Sequence, residues 1–430
     1  MKKQNSFKAL FLLAAFLIHP FIQGQGTFVY GDLLPDAPEL AVRGEYKIGV
    51  RTMTLINKNQ IDVLNTKDGV DPTYDRDFKV EVWYPATLKE GEKDLVSYNE
   101  MMGSGNDPKR PLIPFTFQGR AARDADAVSS AGSFPLVIVS HGYVGTRYIM
   151  SYLCENLASK GYVVVAIDHK ESTFIDGAGF HSTLLNRPKD VKFVLNEMEA
   201  FGNKDTFLKG LIDASNTAII GYSMGGYGVL NVAGAGYSGM LEKTFKAISG
   251  GSSAVSSLIY ENEAYRKTVD PRIKAVVAFA PWGMERGAWD STSLRGLQVP
   301  TFFIVGSQDD ISGYEKGVKA IFEGAVNAER YLLTYANARH NVASNPAPPE
   351  SLEPGLHFDE YYRYAEPSWD KRRMNNINNH FLTAFLGTKL KGINYKKFLD
   401  IPEDSNKKTW EGFQNRSSTG LELRHDSGSK

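Results

Sequence analysis

The run Gly221-Tyr222-Ser223-Met224-Gly225-Gly226 follows directly on the apolar stretch Thr217 to Ile220. A serine with glycine two residues to either side, where a strand gives way to a helix, is the pattern of a nucleophile elbow. The strand has to turn sharply and leave the serine hydroxyl at the apex. A Cβ at either flanking position would strike the neighbouring strand or helix, and glycine has none. The following helix aims its free N–H groups and the positive end of its dipole back at the serine, where negative charge develops during acyl transfer. The motif therefore predicts a serine hydrolase on an α/β scaffold.

The surrounding pattern agrees with that scaffold. Pro135 to Ser140, Tyr162 to Ile167, Thr217 to Tyr222, Ile273 to Ala280, Pro300 to Val305 and Arg330 to Tyr335 are short runs rich in Val, Ile and Phe. Continuous apolar strands of this kind suit a parallel sheet buried on both faces. Between them lie helical stretches such as Tyr314 to Val326, where Tyr314, Val318, Ile321 and Phe322 share one face. The alternation predicts a mostly parallel, doubly wound sheet with helices on both faces. Tyr46 to Ile56 and Phe78 to Tyr84 alternate in polarity and read as an antiparallel edge pair. Asn57 to Asp77 and Leu88 to Ser133 are polar and irregular and read as surface insertions. Tyr237 to Pro271 reads as a further insertion, a candidate cap over the serine. Trp369 to Leu386 places Met374, Ile377, Phe381 and Phe385 on one helical face, and the chain beyond Glu403 reads as a polar, partly mobile tail. The expectation is one domain over residues 26–403, with insertions at about 57–77, 88–133 and 237–271 and a tail at 404–430.

Lys2, Lys3 and Lys8 precede the apolar run Ala9 to Ile18, and small and polar residues follow around Gln23 to Gly26. This is the layout of an export signal over about residues 1–25, with an uncleaved anchor as the alternative. The apolar run is too short for a comfortable membrane span, so no stable span is expected after signal removal. The 49 basic and 49 acidic side chains balance, which argues against nucleic acid as a partner. Cys154 is the only cysteine, so no internal disulfide can form, and its helical apolar setting reads as that of a small buried hydrophobe.

A serine hydroxyl needs a neutral imidazole to take its proton, and the imidazole needs a carboxylate to fix its tautomer. In this scaffold the chain order is nucleophile, acid, histidine. The strand Pro300 to Val305 runs into Gly306-Ser307-Gln308-Asp309-Asp310, and catalytic groups collect in such loops at strand carboxyl ends. Asp309 is the first choice for the acid, with Asp310 its nearest rival and Asp290 a more distant one. A helix-capping role is the alternative for either loop aspartate. His340, in the loop after Arg330 to Tyr335, lies one helix and one strand beyond Asp309 and is the expected base. His357, His380 and His425 fit less well. For the oxyanion, one N–H is expected from Met224 and a second from Tyr143, in the loop His141-Gly142-Tyr143-Val144-Gly145 after the first parallel strand. His141 is expected to orient that loop. The eight histidines are scattered, with no pair at ligand spacing, so neither a metal nor any other cofactor is called for.

The segments Val137-Ile138-Val139-Ser140-His141-Gly142, Asp168-His169-Lys170 and Gly221 to Gly226 resemble the dienelactone hydrolase and platelet-activating-factor acetylhydrolase group of α/β-hydrolases. The later part is similar to the bacterial cutinase and polyester hydrolase branch, through Gly142-Tyr143, Ser223 to Gly226, Ala280-Pro281-Trp282, Asp309 with Ile311, and His340. The resemblance implies oxyanion roles for Tyr143 and Met224 and a substrate-flanking role for Trp282. Together with the export signal, the motifs point to an exported esterase acting on a small-molecule or polymer-borne ester. One departure stands out. The acetylhydrolases carry their acid just after the sixth strand, where this chain has Ala280, so Asp309 follows the cutinase-like arrangement. The C-terminal disulfide of the cutinases cannot form here. An esterified polysaccharide, a lipid, a polyester and a small ester all fit the machinery as substrates. A lipase-like enzyme and a non-catalytic binding protein of the same fold are the alternatives.

Overall fold

The structure is a computed structural model that describes residues 28–129 and 132–429; the expected export signal at 1–25 lies outside the described residues. The chain begins with two long antiparallel strands, β1 (Lys47–Ile61) and β2 (Thr73–Thr87). A second antiparallel pair follows, β3 (Val96–Met102) and β4 (Ile113–Gly119), and then two short strands, β5 (Ala122–Arg123) and β6 (Asp126–Ala127). From there strands and helices alternate. In order come β7 (Phe134–Ser140), α1 (Ser151–Ser159), β8 (Val163–Ile167), α2 (Phe180–Asn203), β9 (Ile212–Tyr222) and α3 (Met224–Val232). After α4 (Gly239–Ile248) and α5 (Glu263–Arg266), the sheet resumes with β10 (Ile273–Phe279), β11 (Thr301–Gly306), α6 (Lys319–Gly324) and β12 (Arg330–Tyr335). The chain finishes with α7 (Phe358–Tyr362), α8 (Lys371–Lys391), α9 (Lys396–Leu399) and β13 (Leu421–Asp426).

The main sheet runs in the order β13-β12-β11-β10-β9-β7-β8-β2-β1-β5. Its central six strands, β8 through β12, are mutually parallel, and all six coincide with the apolar runs. They are legible because both faces are covered: every residue of β7, β8, β11 and β12 is buried. Each such Val, Ile or Phe removed from water contributes about 1.5–3 kcal/mol. Two apolar layers result, one on each face of the sheet. One is built on Val137, Ile220, Phe302 and α8 residues such as Phe381 and Phe385; the other is built on Ile138, Ile219, Val276 and α2 and α3 residues such as Leu185 and Leu230.

Three expectations need correction. The stretch 57–77 is in large part the end of the β1–β2 hairpin, which pairs as far as Ile61 with Thr73; Val63 and Arg76 are buried and Gly69 donates to the Gly250 carbonyl, but strand residues such as Asn57, Lys58, Asn59 and Asp75 are polar, so the strands do not show as apolar alternation. Residues 88–133 are more than a surface excursion, since the β3–β4 pair buries Val96, Tyr98, Met102, Phe115 and Phe117 in the core. The segment beyond Glu403 is built into the domain: Trp410 is buried, and β13 pairs antiparallel with β12, with Leu421 and Leu423 inward.

The order of winding decides where a site can form. From β7 the chain moves outward to β8, then returns across β7 to β9 on its other side. At that reversal the loops after β7 and β9 diverge at the carboxyl edge of the sheet, leaving the crevice in which ligands bind in open α/β sheets.

Candidate active site

The loop after β9 carries Ser223 into this crevice. Its φ is +53°, a conformation that side-chain-bearing residues rarely adopt. The Ser223 N–H donates to the Phe279 carbonyl at 2.8 Å, and its carbonyl accepts the Trp282 N–H at 3.1 Å. The flanking glycines are required by close approach: a Cβ on Gly225 would lie 2.0 Å from the Ser140 carbonyl oxygen, and one on Gly221 would lie 2.3 Å from the Gly225 backbone.

The structure brings the three widely separated side chains together. His340 Nε2 lies 2.9 Å from Ser223 Oγ, and His340 Nδ1 lies 3.0 Å from each Asp309 carboxylate oxygen. A carboxylate can only accept, so Nδ1 carries the ring proton and Nε2 presents its lone pair to the serine hydroxyl. All three side chains are buried. Asp309 Oδ1 also accepts the backbone N–H groups of Ile311 and Ser312 at 2.9 and 2.8 Å, which hold the carboxylate in place. The rivals are engaged elsewhere: Asp310 pairs with Arg339, and Asp290 accepts the N–H groups of Thr292 and Ser293. So are the other late histidines. His357 caps α7, His380 accepts the Leu40 N–H, and His425 stacks on Tyr331.

The loop bearing His340 is fixed from behind. The Tyr222 hydroxyl donates to Asn341 Oδ1 at 3.0 Å, and Asn341 Nδ2 donates to the Tyr362 carbonyl at 2.6 Å. Lys371, at the start of α8, donates to the Asn341 carbonyl. Burial pulls the Lys371 ammonium down to about 7.

The expected oxyanion donors flank the serine. Met224 is the first residue of α3, so its N–H has no partner within the helix. Gly142 and Tyr143 line the same cleft as Ser223 and His340, a recess of about 230 Å³ that also takes in Val144, Ile149, Phe174 and Ile311. Behind Tyr143 stands a buried polar cluster. His169 donates its backbone N–H to His141 Nε2 at 3.1 Å, so the His141 proton sits on Nδ1, 2.6 Å from the Gly142 carbonyl. Burial, with Arg187 beside it, holds His141 well below the usual histidine range and keeps it neutral. Its orienting role is thus matched by its contacts. Arg187, wholly buried on α2, donates through Nη2 to the Gly142 carbonyl at 2.9 Å and to Ser172 Oγ at 2.5 Å, and through Nη1 to the His141 carbonyl. Burial lowers its pKa to about 9, so it stays charged at neutral pH.

A second set of serine, histidine and aspartate lies beneath. Ser140 Oγ is 2.8 Å from His169 Nε2, and His169 Nδ1 is 2.9 Å from Asp190 Oδ2. Burial would raise the Asp190 carboxyl, but Arg76 and the bonds it accepts outweigh this and bring it to about 2. Burial and the nearby Arg187 lower His169 to about 3. Ser140, fully buried within β7, cannot meet a substrate. These residues brace the loop.

Sequence reasoning passed over Arg187 and Asp190. Their signal was there: two charges three residues apart in α2, beside Leu184, Leu185, Val191 and Val194, all buried. Charges on an apolar helical face have to be paired to be stable.

Two other expectations differ from what is observed. Trp282 is not among the residues lining the cleft; its ring turns to pack edge-on against Phe180 at 5.1 Å, which in turn meets Tyr143. The segment 237–271 supplies no lining residue either; Leu241, Phe245, Val255 and Leu258 anchor it in the helical layer with α2 and α3. Cys154 is buried in α1. Among the described residues no group of three or more His, Cys, Asp or Glu stands where it could hold a metal ion, and no helix is long and apolar enough to cross a membrane.

Comparison with known proteins agrees with this architecture. The family described as platelet-activating factor acetylhydrolase, isoform II, matches residues 41–205. Cutinase est1 of Thermobifida alba is 24% identical over 209 residues, 48% of this chain and 54% of the cutinase. Cutinase cut1 of Thermobifida fusca is 26% identical over 180 residues, 42% of this chain and 41% of the cutinase. The matches thus span about half the length of these relatives. The solved ferulic acid esterase from Streptomyces cinnamoneus superposes with a TM-score of 0.51 at 17% identity, covering 83% of this chain and 94% of that one. With a mostly parallel sheet, a serine at the turn after β9 and helices on both faces, the chain has the α/β-hydrolase fold and resembles both the acetylhydrolases and the bacterial cutinases.

Proposed function

We propose that the chain is an exported carboxylic-ester hydrolase with Ser223 as nucleophile, His340 as general base and Asp309 as the acid that orients it. The observation that carries this reading is the 2.9 Å contact between Ser223 Oγ and an imidazole whose other nitrogen faces a carboxylate. Ser223 Oγ adds to the ester carbonyl carbon while its proton passes to His340 Nε2. The N–H groups of Tyr143 and Met224 receive the oxyanion. Collapse breaks the bond to the alcohol, which leaves with the proton from His340. Water then repeats the sequence on the acyl-enzyme and frees the acid and the serine.

The likeness to cutinases, to the acetylhydrolase family and to a ferulic acid esterase supports an ester as substrate, small or polymer-borne. Export rests on the basic and apolar pattern before Gln23, and cleavage there is read by N-terminal sequencing of the mature protein. The test of the chemistry is direct. Ser223→Ala abolishes hydrolysis of a short p-nitrophenyl ester and labelling by a fluorophosphonate; full activity in that variant overturns the reading.

The acetylhydrolase match over residues 41–205 favours a second reading, activity on acetylated lipids. Rates that rise when the ester aggregates would favour it, and equal rates on dissolved and aggregated ester would oppose it.

A further inference from the structure

His340 is not the only basic side chain in the cleft over Ser223. Arg363, at the carboxyl end of α7, lines it as well. Its guanidinium lies 5.0 Å from the ring centroid of Phe174, another wall of the cleft. The charges around it are already committed to one another. Arg110 donates through Nε to Glu360 at 2.8 Å and through Nη1 to Asp359 at 3.1 Å. The other Glu360 oxygen accepts the Gly103 N–H at 2.8 Å. Asp359, the carboxylate that lines the cleft, is thus held by Arg110. Arg363 forms no ion pair among the described residues. Its hydrogen bond to the Gly103 carbonyl is 3.5 Å long, at the outer limit for such a bond. A guanidinium has five N–H donors and stays charged in proteins, so most of its donors are free. Its charge also acts on the phenols of Tyr143 and Tyr222, which stand on the same cleft.

We propose that the cleft selects esters that also carry a carboxylate, which Arg363 binds through its free donors while the ester carbonyl meets Ser223. The proposal rests on the hydrolase reading given above. An exposed arginine would have little effect, because water meets its donors and salt screens it. Arg363 is partly withdrawn from water, beside apolar walls at Val144, Ile149 and Phe174, where a charge-assisted hydrogen bond is stronger. A neutral chain in the same place would leave that charge without a counterpart.

The test compares matched pairs of esters. For the acyl side, p-nitrophenyl hemiglutarate is set against p-nitrophenyl valerate; for the alcohol side, 4-acetoxybenzoate is set against 4-methylphenyl acetate. In at least one pair kcat/KM for the carboxylate ester should exceed that of its neutral partner by about tenfold or more, mainly through KM, the scale of one hydrogen bond to a charged group. Arg363→Gln should remove the preference and Arg363→Lys keep part of it. Taking the ratio within a pair cancels any loss of folded enzyme. Should R363Q fail to fold, R363K and the wild-type salt dependence decide, since the preference must shrink as ionic strength rises. A wild-type enzyme that hydrolyses the neutral esters with no carboxylate preference in either pair overturns the proposal alone. So does an R363Q variant that slows both members of a pair equally. No hydrolysis of any of the four, with Ser223 unlabelled by a fluorophosphonate, overturns the hydrolase reading and this proposal with it.

Discussion

Arg187 Nη2 holds the carbonyl oxygen of Gly142 at 2.9 Å, and so fixes the peptide whose N–H belongs to Tyr143. In a trans peptide the C=O and N–H point opposite ways. With the carbonyl turned towards Arg187, the Tyr143 N–H points the other way, as the proposed oxyanion donor requires. Arg187→Met is therefore expected to lower kcat by about 100-fold or more, the scale of losing one oxyanion donor, with a smaller change in KM. Arg187→Lys should recover part of the loss. Steady-state kinetics alongside a thermal melt separate this from unfolding; a fall in activity that only tracks the loss of folded protein would contradict it.

The two neighbouring aspartates should behave very differently. Asp309 meets His340, whereas Asp310 pairs with Arg339 at the surface. Asp309→Asn leaves the shape intact but favours the wrong imidazole tautomer, and kcat should fall by about 10³–10⁴-fold. Asp310→Asn should change kcat by less than about threefold, as a surface ion pair contributes little. Equal losses in the two variants would reverse the assignment.

Lys371 predicts a pH dependence of stability. Its folded pKa, about 7, lies below the ordinary lysine value near 10.4 of the unfolded chain. Between those values the unfolded chain holds a proton that the folded one has released, so this group makes stability rise with pH above about 7. The slope is at most about 1.4 kcal/mol per pH unit. Denaturant midpoints measured at pH 6 and pH 9 should show the increase in the wild type, and Lys371→Met should lack this component. Parallel pH profiles for the two proteins would contradict the assignment.

Glycine substitutions separate the elbow from an ordinary helix end. A Cβ at Gly225 would meet the Ser140 carbonyl at 2.0 Å, while one at Gly239, the first residue of α4, meets nothing within 4 Å. Gly225→Ala should destabilise by about 3 kcal/mol or more, because backbone has to move. Gly239→Ala should be neutral or stabilising by up to about 1 kcal/mol. Urea denaturation midpoints provide the check.

What could be read from the sequence followed from how completely each element is buried. The six parallel strands showed as unbroken apolar runs because helices cover both of their faces. In β3 and β4 only one face is covered, so Val96 and Tyr98 alternate with Ser97 and Asn99 and are easily taken for loop. In β13 the inward Leu421 and Leu423 alternate with Glu422 and Arg424, a pattern too short to stand out in a polar tail. At the site, the glycine-flanked serine, the loops at strand ends and the order along the chain led to Ser223, Asp309 and His340. The groups that brace them, Arg187 and Asp190 on α2 and His169 after β8, come from two separate segments, and their meeting depends on how α2 crosses the sheet. Trp282 shows the opposite failing: its position after β10 was found, but the direction of its ring was decided by Phe180 and Tyr227.

The pairing of β13 with β12 gives the last few residues a protective duty. β12 leads straight into the loop that carries His340, and without its outer neighbour it would present a row of unpaired amides and carbonyls along an apolar strand. Such a border invites another chain to add on. A protein clipped before Leu421 by a protease, or shortened there for expression, should self-associate and lose the alignment of its imidazole, although every group that touches the ester would still be present.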